Sequence, residues 1–355
     1  MTETPAAVSL TVYAGIDTHK HTHHVALVDA LGRRRGDREF PTTATGHRQL
    51  LAWITGGGTV ARVGIEGTGS YGASVATTLR TAGLEVVEVD RPDRRARRTH
   101  GKSDPLDAYA AATAALTGRA STVPKTHDGD VEAIRFLRNA RRSAVKARAE
   151  ALTQLQATVV TAPEPVRDRL RPLSPTALTT TCAGLRPGPV VPGDPTAAVE
   201  TALRSLARRI LDLTDEERTL HAHLEALVAH TAPDLLDRMG IGVETAAQLL
   251  ITVGDNPHRI RTEAAFAHLC GAAPIPASSG RTHRHRLHRG GDRQANRALY
   301  IIVITRLAHD RRTRDYAARR TAEGKTRREI IRCLKRAVAR EVFRLLTTTG
   351  DPTSP

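Results

Sequence analysis

Aromatic residues make up only 3% of this 355-residue chain, with a single Trp. Any core must therefore be assembled from Ala, Leu, Val and Ile. Cysteine is equally sparse: Cys182, Cys270 and Cys333 stand far apart. That spacing excludes a disulfide framework and a zinc-ligand motif, and it points to a reducing, cytosolic setting. No apolar run approaches the ~18 residues that a membrane span requires, and the N-terminus lacks a signal-peptide pattern. The expectation is a soluble intracellular protein.

Acidic residues are scarce where basic ones are dense. Residues 258–346 carry 22 Lys+Arg against 7 Asp+Glu, so almost all of the chain's net charge of +16 lies in its last quarter. A codon bias favouring Arg over Lys would not segregate charge in this way. A domain so basic is expected to meet a polyanion, and nucleic acid is the usual one.

Along the chain, residues 11–120 alternate strand and helix patterns. Strands are expected over 11–16, 24–29, 38–40, 60–66 and 84–89, and helices over 45–55, 73–82 and 104–116. A hairpin followed by β-α-β units makes a mixed-sheet α/β domain. Residues 130–161 and 195–230 carry apolar residues at heptad spacing, with Val199, Leu203, Leu206 and Ile210 opening the stricter run. Two long helices joined by a Pro/Gly-rich segment (162–195) read as an antiparallel hairpin, an oligomerisation coil or a plain bundle. From residue 233 onward, LDRMGIGVETAAQLLITVG has a helix-hairpin-helix pattern around Gly240 and Gly242. Such a turn offers backbone N–H groups to a phosphate, or is an ordinary Gly-capped turn between helices. Further helices are expected over 259–270, 293–310 and 327–346. The division read from these patterns is 10–122 (α/β), 123–232 (helical linker) and 233–346 (mostly α).

Two groups of residues carry chemistry. Asp17 and Glu66 each end a buried strand, and the two strands are expected to be neighbours. Asp104 and Asp107, three apart at the start of one helix, share a face. Four converging carboxylates repel one another unless cations neutralise them, and hard oxygen donors suit Mg²⁺ and phosphodiester chemistry. Taken singly, each has a plainer reading, such as Asp104 as a helix N-cap. Two other patterns are decoys: Gly101-Lys102-Ser103 lacks the upstream glycine of a phosphate-binding loop. The His19, His21, His23, His24 cluster reads as a polar strand edge, because alternation sends its rings to opposite faces.

The second group is the loop GAAPIPASSGRTHRHRLHRGGDRQANR (271–297). Prolines stiffen the approach to Ser278-Ser279-Gly280, and a run of Arg and His follows. A serine hydroxyl becomes a nucleophile only with its proton removed and the developing charge stabilised. Arg281, Arg284, Arg286 and Arg289 could hold a scissile phosphate, with Arg293 and Arg297 next on the following helix. Alternatively, Ser-Ser-Gly is a turn and the arginines bind backbone phosphate alone.

Together these motifs resemble one family, the DEDD transposases of bacterial insertion sequences, recombinases guided by a bridge RNA. The matching residues are GIDTHK (15–20), GIEGTGSYG (64–72), KSDPLDA (102–108), and later GIG, SSG and GGDRQANRALY. The resemblance runs from about residue 12 to 346, with both halves in order. It implies a RuvC-like (ribonuclease-H-type) N-terminal domain whose Asp17, Glu66, Asp104 and Asp107 bind Mg²⁺. It also implies a coiled-coil linker and a C-terminal transposase domain with a nucleophilic serine. By its position before Gly that serine is Ser279, with Ser278 the second choice. In the family the serine forms a covalent phosphoserine link to DNA, and parts of different subunits compose each site. The implied partners are donor and target DNA, a non-coding bridge RNA and further copies of the chain, as dimer and synaptic tetramer. The implied location is the bacterial cytoplasm, at the nucleoid. One departure is Asp292, where the family usually has Asn. The rival readings are a RuvC-like junction nuclease working by two-metal hydrolysis, and a non-enzymatic DNA-binding protein.

Overall fold

The computed structural model describes residues 10–89, 103–278 and 285–348. Strand β1 (Thr11–Thr18) is buried on both faces over most of its length, as its run of apolar residues requires. It pairs antiparallel with β2 (Thr22–Asp29), which pairs antiparallel with β3 (Arg34–Pro41). On its other side β1 lies parallel to β4 (Thr59–Glu66), and β4 is parallel to β5 (Val86–Val89). The sheet order is therefore β3-β2-β1-β4-β5, the mixed α/β sheet that the sequence pattern leads one to expect.

Alternation along the strands sorts their side chains between two helical layers. Ala14, Ile16, Val63 and Ile65 point to one face, where they pack with Leu50 and Ile54 of α1 (Ala44–Gly56) and Val75 and Leu79 of α2 (Ala73–Thr81). The opposite face receives α3 (Asp104–Leu116), whose Ala108, Ala111, Ala112 and Ala115 lie flat against the sheet. Two strand glycines make that approach possible. A Cβ at Gly15 would overlap the Ala108 carbonyl and the Ala112 amide, and one at Gly64 would lie 2.7 Å from the Ala111 carbonyl oxygen. An alanine-rich helix on a glycine-floored groove sets its own first turn beside the end of β1.

The chain forms two compact units: residues Met1–Gly129 with Val253–Arg259, and residues Asp130–Thr252 with Ile260–Pro355. In the first, Asn256 ties the returning segment down, accepting from the Thr126 amide (3.2 Å) and donating to the Pro124 carbonyl (2.9 Å).

The second unit opens with α4 (Asp130–Thr161) and closes its long pair with α7 (Thr196–Thr231). Leu155 packs near Leu203, whereas Arg141 near the middle of α4 meets Glu217 at 3.0 Å, so the two helices run antiparallel within one chain. The intervening segment, expected to be a Pro/Gly-rich connection, contains α5 (Glu164–Leu170) and α6 (Pro175–Ala183). Proline sits in the first turn of both, where it costs no hydrogen bond, and the Ser174 hydroxyl caps α6. Val166, Leu170, Leu178 and Cys182 join the core between α4 and α7.

After the single turn α8 (Pro233–Leu236) come α9 (Val243–Val253), α10 (Glu263–Leu269), α11 (Arg293–His309), α12 (Arg311–Ala322) and α13 (Arg327–Thr348). Three expectations need correction here. The first helix of the helix-hairpin-helix pattern is only one turn long. The helix expected from 259 starts at Glu263, because the Thr262 hydroxyl accepts from the Ala265 amide and caps it there. Helix α12 was not expected at all, since RRTRDYAARRTA has no apolar stripe to announce it.

Among the described residues, no helix is long and apolar enough to cross a membrane.

Candidate functional site

Asp17 is the penultimate residue of β1, on the face that receives α3, and only 7% of its surface is exposed. Glu66 ends the neighbouring parallel strand on that same face. The Thr18 hydroxyl donates to the Glu66 carbonyl (2.8 Å), fixing the two strand ends together. Helix α3 enters over this edge with Asp104 and Asp107 in its first turn. Ser103 rather than Asp104 occupies the N-cap position, so the plainer reading of Asp104 as a cap does not hold. Asp107 is buried behind it.

His19 completes the arrangement. It follows β1 in a tight connection closed by its amide bonding to the Thr22 carbonyl (3.1 Å). Its Nε2 lies 3.1 Å from Asp17 Oδ2 and 3.4 Å from Asp104 Oδ1. Among the described residues, Asp17, His19 and Asp104 are the set whose donor atoms all lie within 4.8 Å of one another. Burial pushes the Asp17 carboxyl above the ordinary carboxylate range; His19 opposes that shift, while Asp107 and Asp104 add to it. A buried carboxylate beside two more acids has a charge deficit that a divalent cation removes, and hard oxygen donors with an imidazole nitrogen suit one. The donor set therefore fits a divalent metal.

The other histidines overturn the reading of a polar strand edge. β2 is an interior strand, and alternation does separate its two rings. His24 turns to the α3 side, where its Nε2 lies 2.8 Å from Asp37, which also accepts from the Tyr109 hydroxyl (3.0 Å). His23 is fully buried on the other side, stacked on His47 with ring centroids 5.4 Å apart. Both His23 nitrogens lack a hydrogen-bond partner, and burial lowers its pKa to about 4.

In the second unit, the serine-bearing loop springs from a closed base. The Asp292 amide donates to the Leu269 carbonyl (2.7 Å). The Asn296 side-chain amide donates to the carbonyls of Cys270 (3.0 Å) and Gly271 (2.8 Å). Lys335 Nζ, almost fully buried, donates to Asn296 Oδ1 (2.8 Å). Asp292 itself caps α11 through the amides of Gln294 and Ala295, and its other oxygen accepts from Thr252 (2.8 Å). Asp in place of the family's usual Asn thus retains a capping role. Strands β6 (Ile275–Pro276) and β7 (His285–Arg286) pair antiparallel above this base. Ser279, Arg281 and Arg284 lie outside the described residues. Ser278, Arg286 and Arg289 are exposed, as are Arg293 and Arg297, one turn apart on α11. At the Gly-x-Gly turn, Gly240 has φ +81°, and the Gly242 amide donates to the Thr245 hydroxyl (3.1 Å). That amide is already engaged within the turn.

His19, Asn296 and Lys335 escaped the sequence reading as site residues. Asn296 lies inside the motif GGDRQANRALY, four residues after the capping Asp292, which is the signal that could have found it.

Residues 14–162 match a family model described as a transposase, of the DEDD type of IS110. Residues 233–318 match a second, described as the transposase of the IS116/IS110/IS902 family. The chain is 36% identical over 160 residues to an uncharacterised 43.6 kDa protein of insertion element IS110 from Streptomyces coelicolor, covering 44% of this chain and 39% of that protein. It is 29% identical over 150 residues to a 42 kDa protein of insertion element IS900 from Mycobacterium paratuberculosis, covering 41% and 37%. It is 27% identical over 331 residues to a protein named as the candidate transposase of the IS117 mini-circle of Streptomyces coelicolor, covering 78% and 79%. The chain thus spans under two fifths of the first two relatives and about four fifths of the third.

Proposed function

The chain belongs to the IS116/IS110/IS902 transposase family, and from that premise we propose that it is the DNA recombinase of an insertion sequence. It would cut and rejoin DNA strands through Ser279, with Asp17, Glu66, Asp104 and Asp107 as the acidic set, joined by His19. The observation that carries this reading is the convergence of Asp17, His19 and Asp104 at the end of β1. In this reading residues 10–122 are a RuvC-like domain, 123–232 a helical linker and 233–346 the transposase domain. Donor and target DNA are its substrates, a bridge RNA selects the sites, and dimers assemble into a synaptic tetramer.

In the proposed step the Ser279 hydroxyl oxygen bonds to phosphorus as the phosphodiester's bond to one sugar oxygen breaks. That oxygen leaves as a free hydroxyl, taking up a proton in place of the one the serine gives up. Rejoining is the reverse reaction with a different strand's hydroxyl. Arg281, Arg284, Arg286 and Arg289 would bind the phosphate and stabilise its developing charge. Held by Asp17, His19 and Asp104, Mg²⁺ would neutralise the acids and add electrostatic stabilisation at the phosphate.

A denaturant-stable protein–DNA adduct, formed on DNA carrying the element's ends, tests the reading. The wild-type chain with Mg²⁺ is expected to form it, whereas Ser279→Ala and Asp17→Asn are not. Adduct from Ser279→Ala but none from Ser278→Ala would reverse the serine assignment. Cleaved ends without any adduct would point to a junction nuclease. Sequencing RNA that co-purifies with the chain decides between guided and unguided recombination.

A further inference from the structure

A cleft of about 1170 Å³ opens in the second unit between the β6–β7 hairpin and the turn joining α12 to α13. Eight of its lining residues are Lys or Arg and two are Glu. Both acids are already engaged: Glu323 pairs with Arg320, and Glu329 accepts from the amide and hydroxyl of Thr326 (2.9 and 2.8 Å). Among the described residues, no acid stands within ion-pair distance of Arg286, Arg327, Arg328 or Arg332. Arg336 meets Glu263 through one nitrogen (2.5 Å), while its Nη1 is buried without a hydrogen-bond partner.

The stripe Arg328, Arg332, Lys335 and Arg336 repeats at helical spacing on α13. Like charges three and four residues apart destabilise a helix. Burial and then Arg332 push the Lys335 amine below its ordinary value. Such a stripe has a physical reason when an anion lies along it. At the N-terminus of α13 the Thr326–Glu329 capping box engages the amides of Thr326 and Glu329. The positive charge of the cleft comes from its side-chain cations.

The cleft's composition narrows the ligand further. It is lined by no Phe, Tyr or Trp among the described residues. Grooves that hold single strands stack unpaired bases on aromatic rings as well as tracking the backbone. Among the described residues the cleft's rings are two imidazoles, His285 and His288, so it grips phosphates through its many cations but offers a run of unpaired bases little to stack on. We infer that this cleft holds the phosphate backbone of duplex DNA, through Arg327, Arg328 and Arg332 of α13 facing Arg286 of the hairpin. The inference rests on the recombinase reading and deepens it, placing a bound duplex beside the hairpin whose connecting loop carries Ser279.

The test is fluorescence anisotropy of the full-length chain with a 30-base-pair DNA of arbitrary sequence, across a salt series. Removing two phosphate contacts in Arg328→Gln/Arg332→Gln should lower affinity about tenfold at 0.1 M salt and reduce the log–log salt slope by about 2. Arg208→Gln/Arg209→Gln, two exposed positions on α7, should leave both quantities unchanged. A thermal melt of each variant checks folding, and relief of like-charge repulsion should leave the cleft variant no less stable. Unchanged affinity and slope in the cleft variant would overturn the inference while leaving the recombinase reading intact. So would an equal loss in the control, or a loss confined to unstructured single-stranded DNA or to duplex RNA. A wild-type chain that binds none of the three at low salt would remove the recombinase reading and the cleft's role with it.

Discussion

At the scale of single residues, the acid at the end of β1 is set against its own surroundings. Asp17 is buried beside Asp107 and Asp104, and among the described residues His19 is the partner that opposes them. Ionised, it costs the metal-free fold stability. Asp17→Asn is therefore expected to raise the thermal midpoint of the metal-free chain while abolishing adduct formation. Its midpoint should also lose most of the Mg²⁺-induced rise expected of the wild type. A drop in midpoint would show that the carboxylate is structural. His23 gives a different signal. Its folded pKa of about 4 lies below the ordinary 6.5, so the unfolded chain binds more protons over that interval. Stability is then full above pH 6.5 and is lost as pH falls toward 4, by up to about 3 kcal/mol for this ring. His23→Leu should flatten the difference in urea midpoint between pH 7 and pH 4.5. It should also raise the midpoint at pH 7, because a buried imidazole with two unbonded nitrogens is replaced by an apolar group. The placement of Asp17 and Glu66 at strand ends and of Asp104 and Asp107 in a helix's first turn was legible, because such ends can be read from periodicity. His19 was not, because its role depends on the connection after β1 turning the ring back over Asp17.

At the scale of elements, packing explains why the motif glycines stand where they do. Gly15 and Gly64 floor the groove that seats α3, and the seating delivers Asp104 to Asp17. Gly15→Val should cost about 1–3 kcal/mol or more by overpacking, and it should abolish the adduct by lifting the first turn of α3. Gly56→Ala, where a Cβ meets nothing within 4 Å, is the control and should be neutral in both measurements. The loop base makes a parallel case. Asn296→Leu removes the side-chain bonds to the Cys270 and Gly271 carbonyls and to the Lys335 ammonium, and each buried group left unsatisfied costs about 1–3 kcal/mol. Adding Lys335→Met should restore part of that stability without restoring the adduct, since the loop base stays unclamped. Recovery of the adduct in the double variant would assign the pair a purely structural role. Strands β1, β2, β4 and β5, α1 to α3 and the long pair α4 and α7 could be read from apolar periodicity, whereas β3 (RRGDREFP) buries only Phe40 and is announced over 38–40 alone. Helices α5 and α6 are short and proline-led, and α12 is polar all round, so each is defined by neighbours and caps that no local period reports.

At the scale of the whole molecule, the acids and the serine belong to different compact units of one chain, and each set is inert without the other in the proposed chemistry. The family resemblance implies that a working site draws its acids from one subunit and its serine from another. Mixing variants separates the two possibilities. Asp17→Asn and Ser279→Ala are each expected to be inactive alone. In a mixed dimer with sites composed across subunits, one site holds both lesions and the other holds neither. Activity should then return in proportion to the mixed dimers present. If each site were built within one chain, every site in every dimer would carry one lesion, and no ratio of the two variants would restore the adduct. Co-expression with two different affinity tags isolates the mixed species, and the Ser279→Ala partner reports which chain becomes linked to DNA. Only the Asp17→Asn chain, which keeps its serine, should carry the phosphoserine bond. Adduct on that chain alone would fix both the nucleophile and the exchange of acids between subunits, whereas no adduct in the purified mixed dimer would place the complete site within one chain.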